Sequence, residues 1–291
     1  MSDSTSKAVA VAIIGAGEMG AAVGRRLREM GARVITPLRG RSTESVERVR
    51  QAGLEVVDDD DTIVHEAQFI LSIVPPGVAL AVAESLRAPL ERVATKPVFA
   101  ECNAVSPATA RRIAAALANA GCHFVDAGII GGPPPTDRTK LGPRFYASGP
   151  DAHLLARLND YGLDIAVLDG PVGAASGLKM SYAGLTKGMT ALAAAMIGAA
   201  SREGLGAALR NELARTQPDF LTRFERQLPG MYRKAYRWVA EMEEIADHAG
   251  AEDTGAPIYK GMARLYERIA ADWEGGRGLP LTLEAFLKGA K

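Results

Sequence analysis

Between residues 8 and 170 short apolar runs alternate with longer stretches whose apolar positions recur every three or four residues. Residues 8–14 are β-branched residues and alanines that stop at Gly15. Such a run reads as a parallel strand buried on both faces, which needs no polar alternation. Met19, Val23, Leu27 and Met30 follow on one helical face, and Gly31 closes that helix. Residues 33–36 form the next strand. The same reading predicts strands near 55–57, 69–74, 97–102 and 123–126, weaker ones near 144–148 and 164–168, and helices near 42–52, 77–87 and 107–120. Strands alternating with helices define an α/β fold, a Rossmann doubly wound sheet.

Past Gly170 the pattern changes. Residues 176–202 are rich in alanine and methionine and carry no strand signal. Helices are expected at about 207–216, 218–227, 229–249, 256–274 and 280–288, with Pro218, Pro229, Pro257 and Pro280 at their starts, where a missing N–H is tolerated. The chain therefore divides into a Rossmann dinucleotide-binding domain, residues 1–170, followed by an all-α C-terminal domain, residues 171–291. A long helix from near 176 bridges them.

The first strand ends in Gly15-Ala16-Gly17-Glu18-Met19-Gly20, a G-x-G-x-x-G turn between a strand and a helix. In that setting the first glycine allows the tight turn, the second lets backbone approach a pyrophosphate, and the third lets helix pack on strand. Gly15, Gly17, Glu18, Met19 and Gly20 are the candidate cofactor cradle. At the end of the second strand, Thr36-Pro37-Leu38-Arg39-Gly40-Arg41-Ser42 contains no acid to take a ribose hydroxyl. Arg39, Arg41 and Ser42 suit a 2′-phosphate, so NADP(H) is expected in preference to NAD(H). An exposed basic loop is the other reading of these residues.

Lys plus Arg and Asp plus Glu both number 34, and this balance argues against non-specific nucleic-acid binding. Cys102 and Cys122 make no disulfide framework and suit a reducing cytoplasm. The four histidines are scattered, and no metal is expected. The polar start, with no basic segment or cleavage site, does not read as a secretory signal. The charge-free stretch 188–200 is too short to span a bilayer, so no membrane association is expected. The run Asp58–Asp61 reads as a solvated turn with one member capping a helix.

Three further motifs complete a resemblance to the β-hydroxyacid dehydrogenases, the group of 3-hydroxyisobutyrate and 6-phosphogluconate dehydrogenases. Asp126-Ala127-Gly128-Ile129-Ile130-Gly131-Gly132 is similar to the family's substrate loop, with Ile130 where the family has serine. Gly131 and Gly132 would then bind a small substrate through backbone N–H groups, or else form a rigid loop with the three prolines that follow. Gly173-Ala174-Ala175-Ser176-Gly177-Leu178-Lys179 resembles the turn before the family's catalytic lysine, with Ala175 in place of a glycine. The resemblance makes Lys179 the general acid/base. Burial would lower its pKa from about 10.4 toward neutrality. Glu101-Cys102-Asn103-Ala104-Val105-Ser106-Pro107 matches a loop beside the cofactor, as do Val74 and Pro75. Asn103 and Ser106 would contact ligand or simply cap the next helix. The C-terminal half resembles a phosphogluconate-dehydrogenase-like branch with a distinct helical domain.

One turn after Lys179 the family's asparagine is replaced by Ala183. Lys179, Tyr182, Thr186 and Thr190 share one helical stripe, which would line the substrate cavity or form a solvated side. Lys187, off that stripe, is expected to be exposed or interfacial. Arg237 is a further candidate for substrate, or else an exposed helix arginine. The resemblance implies hydride transfer between nicotinamide and a small hydroxy or oxo acid, in a cytoplasmic homodimer. Ile130 and Ala183 keep open a reductase of a non-acid carbonyl or imine. A non-catalytic NADP-binding protein is the reading from another class.

Overall fold

The computed structural model describes residues 8–250 and 254–289; the polar start, residues 1–7, lies outside the described residues. Two compact units divide at Lys179–Met180, inside a helix rather than at Gly170. The first holds β1 (Ala10–Ile14), α1 (Glu18–Glu29), β2 (Arg33–Pro37), α2 (Thr43–Ala52), β3 (Glu55–Val57), α3 (Asp60–Glu66) and β4 (Phe69–Ser72). It continues with α4 (Ala79–Arg92), β5 (Val98–Glu101), α5 (Pro107–Leu117), β6 (His123–Ile130), β7 (Arg144–Ser148), α6 (Ala152–Leu155), β8 (Asp164–Val167) and the opening turns of α7 (Ala174–Arg202).

The strands form one sheet in the order β3-β2-β1-β4-β5-β6-β7-β8. All neighbours are parallel except β6 and β7. Val11, Ile13 and Leu71 belong to one core, and Ala12, Ile14, Ile70 and Phe99 to another. Two buried faces explain why these strands show no polar alternation. Chain order reverses at β1, which lies between β2 and β4. Such a switch point opens a crevice at the strands' carboxyl ends, and Gly15 stands there.

The second unit continues α7 and adds α8 (Gly206–Thr216), α9 (Pro218–Met231), α10 (Ala235–Ala249), α11 (Gly255–Glu274) and α12 (Gly278–Lys288). Pro229, expected at a helix start, lies inside α9. The expected break comes just after it, as a 3-10 turn at Tyr232–Lys234, because proline removes one helical hydrogen bond near the end of the helix. Trp238 meets Tyr266 edge-on at 5.1 Å, joining α10 to α11. Lys187 is not on an open surface. It pairs with Glu241, lies over the Trp238 ring, and its carbonyl accepts the Tyr266 hydroxyl at 2.6 Å. By length and composition α7 is apolar enough to cross a membrane, because its apolar window extends beyond the stretch 188–200; half of that window is buried in protein.

Candidate active site

Three glycines at the end of β1 have three different surroundings. Gly15 has φ +92°, and a Cβ there would collide with the Ile73 carbonyl oxygen. A Cβ on Gly20 would strike the Gly15 carbonyl oxygen and come within 3.1 Å of Ile13, so α1 sits directly on β1. A Cβ on Gly17 would meet nothing within 4 Å. That open side faces out at the start of α1, whose first turn has no side-chain cap. The helix dipole there favours an anion. The cradle fits a dinucleotide pyrophosphate: two glycines close the turn and the third leaves backbone accessible. Glu18 is exposed in the first turn of α1, and Met19 packs on the core.

The loop after β2 is exposed. Arg39 donates to the Asp58 carbonyl at 3.1 Å, and Ser42 caps α2 by accepting from Ser45 N at 3.3 Å. Asp59 caps α3 through Thr62 N at 2.7 Å. After β4, Val74 N donates to Asn103 Oδ1 at 2.5 Å, while Asn103 Nδ2 donates to Ser72 Oγ at 3.0 Å. Asn103 is buried and spends both ends of its amide fastening the loop after β5 to β4. Pro75 is exposed beside that fastening. Ser106 caps α5 through Thr109 N at 3.1 Å.

A second group occupies the carboxyl edge at β5 and β6. Ser72, Glu101, Asp126 and Ser148 are successive register partners across β4 to β7. Register partners present their side chains on one face of a sheet. All four are fully buried. Asp126 Oδ2 accepts from Ser148 Oγ at 2.9 Å, Gly173 N at 2.8 Å and Ser176 N at 3.1 Å, and Oδ1 accepts from Ser176 Oγ at 2.5 Å. Ser148 Oγ accepts from Ala175 N at 3.0 Å. One carboxylate and one hydroxyl therefore take up N–H groups at the start of α7, where the helix dipole favours negative charge.

This anchor places Lys179, one turn beyond Ser176. Gly128 follows Asp126 by two residues on the same strand face. A Cβ on Gly128 would lie 2.8 Å from the Ala175 carbonyl oxygen and 3.1 Å from Lys179 Cβ, so only glycine lets α7 press so closely on β6. Lys179 keeps part of its surface open, yet burial of its amine lowers the pKa to about 8, against the opposing influence of Cys102, Glu101 and Asp126. Burial likewise pushes Glu101 up to about 8, opposed by its hydrogen bonds from Asn103 and by the Lys179 charge, while Asp126 raises it further. The Cys102 thiol is pushed up by burial.

Gly131 and Gly132 lie at an exposed turn beyond β6. Arg25 donates to the Pro134 carbonyl at 3.0 Å and buried Arg26 to the Pro135 carbonyl at 3.1 Å, which gives the loop the character of a rigid clamp. The contact from β6 that reaches Lys179 is made instead by Gly128. In the second unit Tyr182 is exposed, Thr186 donates back to the Tyr182 carbonyl at 2.9 Å, and buried Thr190 donates to Gln227 at 3.1 Å. The expected stripe is therefore not uniform. Arg237 is exposed, with its guanidinium over the Tyr236 ring.

Sequence reading missed Glu101, Ser148 and the anchoring role of Asp126. Their only local trace is an acid in each of two apolar strands, Glu101 at the end of β5 and Asp126 within β6. Parallel pairing is what brings the two acids side by side.

Residues 10–158 match the family described as the NAD binding domain of 6-phosphogluconate dehydrogenase, and residues 200–269 match a domain of unknown function, DUF1932. A solved conserved protein, described as structurally similar to 3-hydroxyacid dehydrogenases, is 30% identical over 94% of this chain and 99% of its own, with a TM-score of 0.67. The 3-hydroxyisobutyrate dehydrogenase of Pseudomonas aeruginosa is 31% identical over 42% of this chain and 41% of its own. The Mycobacterium tuberculosis 3-hydroxyisobutyrate dehydrogenase solved with L-serine shares the fold, at 18% identity, a TM-score of 0.70 and coverage of 91% and 95%.

Proposed function

The chain belongs to the β-hydroxyacid dehydrogenases built on the NAD binding domain of 6-phosphogluconate dehydrogenase, and from that premise we propose that it is an NADP-dependent oxidoreductase of small hydroxy or oxo acids, with Lys179 as general acid/base. One observation carries the reading. Lys179 is held at the carboxyl edge of the sheet by the Asp126 anchor, in surroundings that lower its pKa to about 8. A lysine poised near neutrality both takes and gives a proton at working pH.

Gly15, Gly17 and Gly20 would hold the pyrophosphate, with Val74, Pro75 and the Asn103 fastening beneath it. Arg39, Arg41 and Ser42 supply the cations and hydroxyl for a 2′-phosphate. The bound dinucleotide supplies the hydride acceptor for oxidation and the donor for reduction. In oxidation neutral Lys179 takes the hydroxyl proton while the carbinol carbon gives up hydride. In reduction the Lys179 ammonium returns that proton to the forming alkoxide. Gly131, Gly132, Tyr182, Thr186 and Arg237 remain the candidates for substrate contact.

Along α7, Leu178, Tyr182, Leu185, Leu192 and Met196 leave a row of large apolar side chains exposed. Spacings of three, four and seven keep them on one side of the helix, over roughly 27 Å. A continuous row of this kind supports a homodimer in which a second copy covers it. Sedimentation at micromolar concentration reads that state directly. A cytoplasmic setting agrees with two unpaired cysteines.

A second reading, reduction of a carbonyl or imine without a carboxylate, is favoured by Ile130, which supplies no hydroxyl where the family has serine. A panel of small hydroxy acids and their methyl esters, each with NADP+ and NAD+, separates the readings. The proposal expects acids to exceed esters and NADP+ to exceed NAD+ in kcat/KM. Equal turnover of esters supports the second reading, and a faster reaction with NAD+ removes the cofactor assignment. Cofactor binding without turnover of any substrate leaves a non-catalytic NADP-binding protein.

A further inference from the structure

Glu101 has surroundings that packing alone does not explain. It is fully buried at the end of β5, with Oε1 accepting from Asn103 N at 3.0 Å and Oε2 buried without a hydrogen-bond partner. An orphaned carboxylate oxygen in a protein interior is costly, because the desolvation of that atom is not repaid. A residue serving only to close the turn after β5 would not need it, since an amide accepts the same backbone N–H. Glu101 stands in the row that runs from Ser72 to Ser148, and its register partner Asp126 already accepts from Ser148 and from the start of α7. The same face of β6 carries Gly128, against which the Lys179 stem rests. The charged and titratable groups around the pair are Asp126 on β6, Cys102 beside Glu101, and Lys179 on α7.

We propose that Glu101 is a positioning residue that exchanges a proton with Lys179, setting which form of the lysine meets the substrate. Among the described residues Glu101 Oε2 has no hydrogen-bond partner and is not ion-paired with Lys179, so the exchange follows a swing of the flexible lysine side chain to that oxygen. The step then balances by itself: the Lys179 ammonium and the Glu101 carboxylate become a neutral amine and a carboxylic acid, one N–H bond breaking as one O–H bond forms. After oxidation Lys179 passes the proton to Glu101 and regains its lone pair. Before reduction the transfer runs the other way. Asp126 does not serve in this way, because its oxygens are occupied by the start of α7. The proposal deepens the assignment of Lys179 as acid/base and rests on it.

The test reads the pair without a substrate. In the full-length protein, 13C-carboxyl and 15N-amine NMR titrations follow Glu101 and Lys179, assigned by loss of signal in Glu101→Gln and Lys179→Met. Lys179→Met should raise the Glu101 midpoint by about one pH unit, a tenfold gain in proton affinity. Glu101→Gln should lower the Lys179 midpoint. Midpoints indifferent to each other's substitution overturn the proposal, whatever the substrate panel shows. If Glu101→Gln does not fold, the Lys179→Met titration alone decides. In turnover, Glu101→Gln should displace the acid limb of the kcat/KM profile for oxidation to lower pH, with KM for NADP+ unchanged. A uniform loss at every pH, with the limb in place, shows a structural role only and also overturns it.

Discussion

Two parts of the same sheet edge use opposite chemistry. At β1 the Gly15–Gly20 turn presents backbone alone, and its central glycine faces open space. At β5 and β6 the edge is filled with buried side chains: two acids and two serines, with Lys179 pressed against the strand. The first region leaves an open approach to the start of α1 at Gly17. The second is made to keep its own charges out of water, where a proton moves at low cost only if each neighbour is fixed beforehand. One leaves room and the other leaves none.

The comparison breaks most severely at Asp126. Asp126→Ala removes the acceptor for two backbone N–H groups and two hydroxyls. Unfolding in urea should show a loss of about 3–5 kcal/mol, the range for breaking a buried charged network. A loss under 1 kcal/mol would mean that α7 is held elsewhere. Gly17→Ala sharpens the contrast. Its φ of −72° suits alanine and nothing crowds the new methyl, so the melting temperature should stay within a degree or two. NADPH affinity should fall by tenfold or more, because the methyl occupies the phosphate approach. A variant that binds NADPH normally would place the dinucleotide elsewhere. The smallest effect belongs to Arg39→Ala. Loss of one exposed phosphate contact should raise KM for NADPH several-fold and leave KM for NADH nearly unchanged.

Much of the fold could be read from apolar runs, because a parallel sheet buried on both faces writes each strand as one. The glycine turn was equally readable, since its roles fall within six consecutive residues. The second region was only half readable. Lys179 stands in a recognisable turn, but the buried row beside it comes from β4, β5, β6 and β7, and register rather than spacing assembles that row. Asp126 was taken with the Gly131–Gly132 loop that follows it, whereas its carboxylate points to the helix start at Gly173 and Ser176. The Asn103 side chain fastens the loop after β5 to Val74 and Ser72, a role that local sequence does not show. Pro229 misled because a proline near the end of a helix weakens it without starting another.

Lys179 is the pivotal group, and the most direct measurement is the turnover of Lys179→Met beside its affinity for NADPH, followed by quenching of protein fluorescence. The predicted result is a fall in kcat of at least about a thousandfold with Kd for NADPH unchanged, since general acid/base catalysis contributes roughly 10²–10⁴. Turnover of hydroxy acids at the wild-type rate by that variant would contradict it.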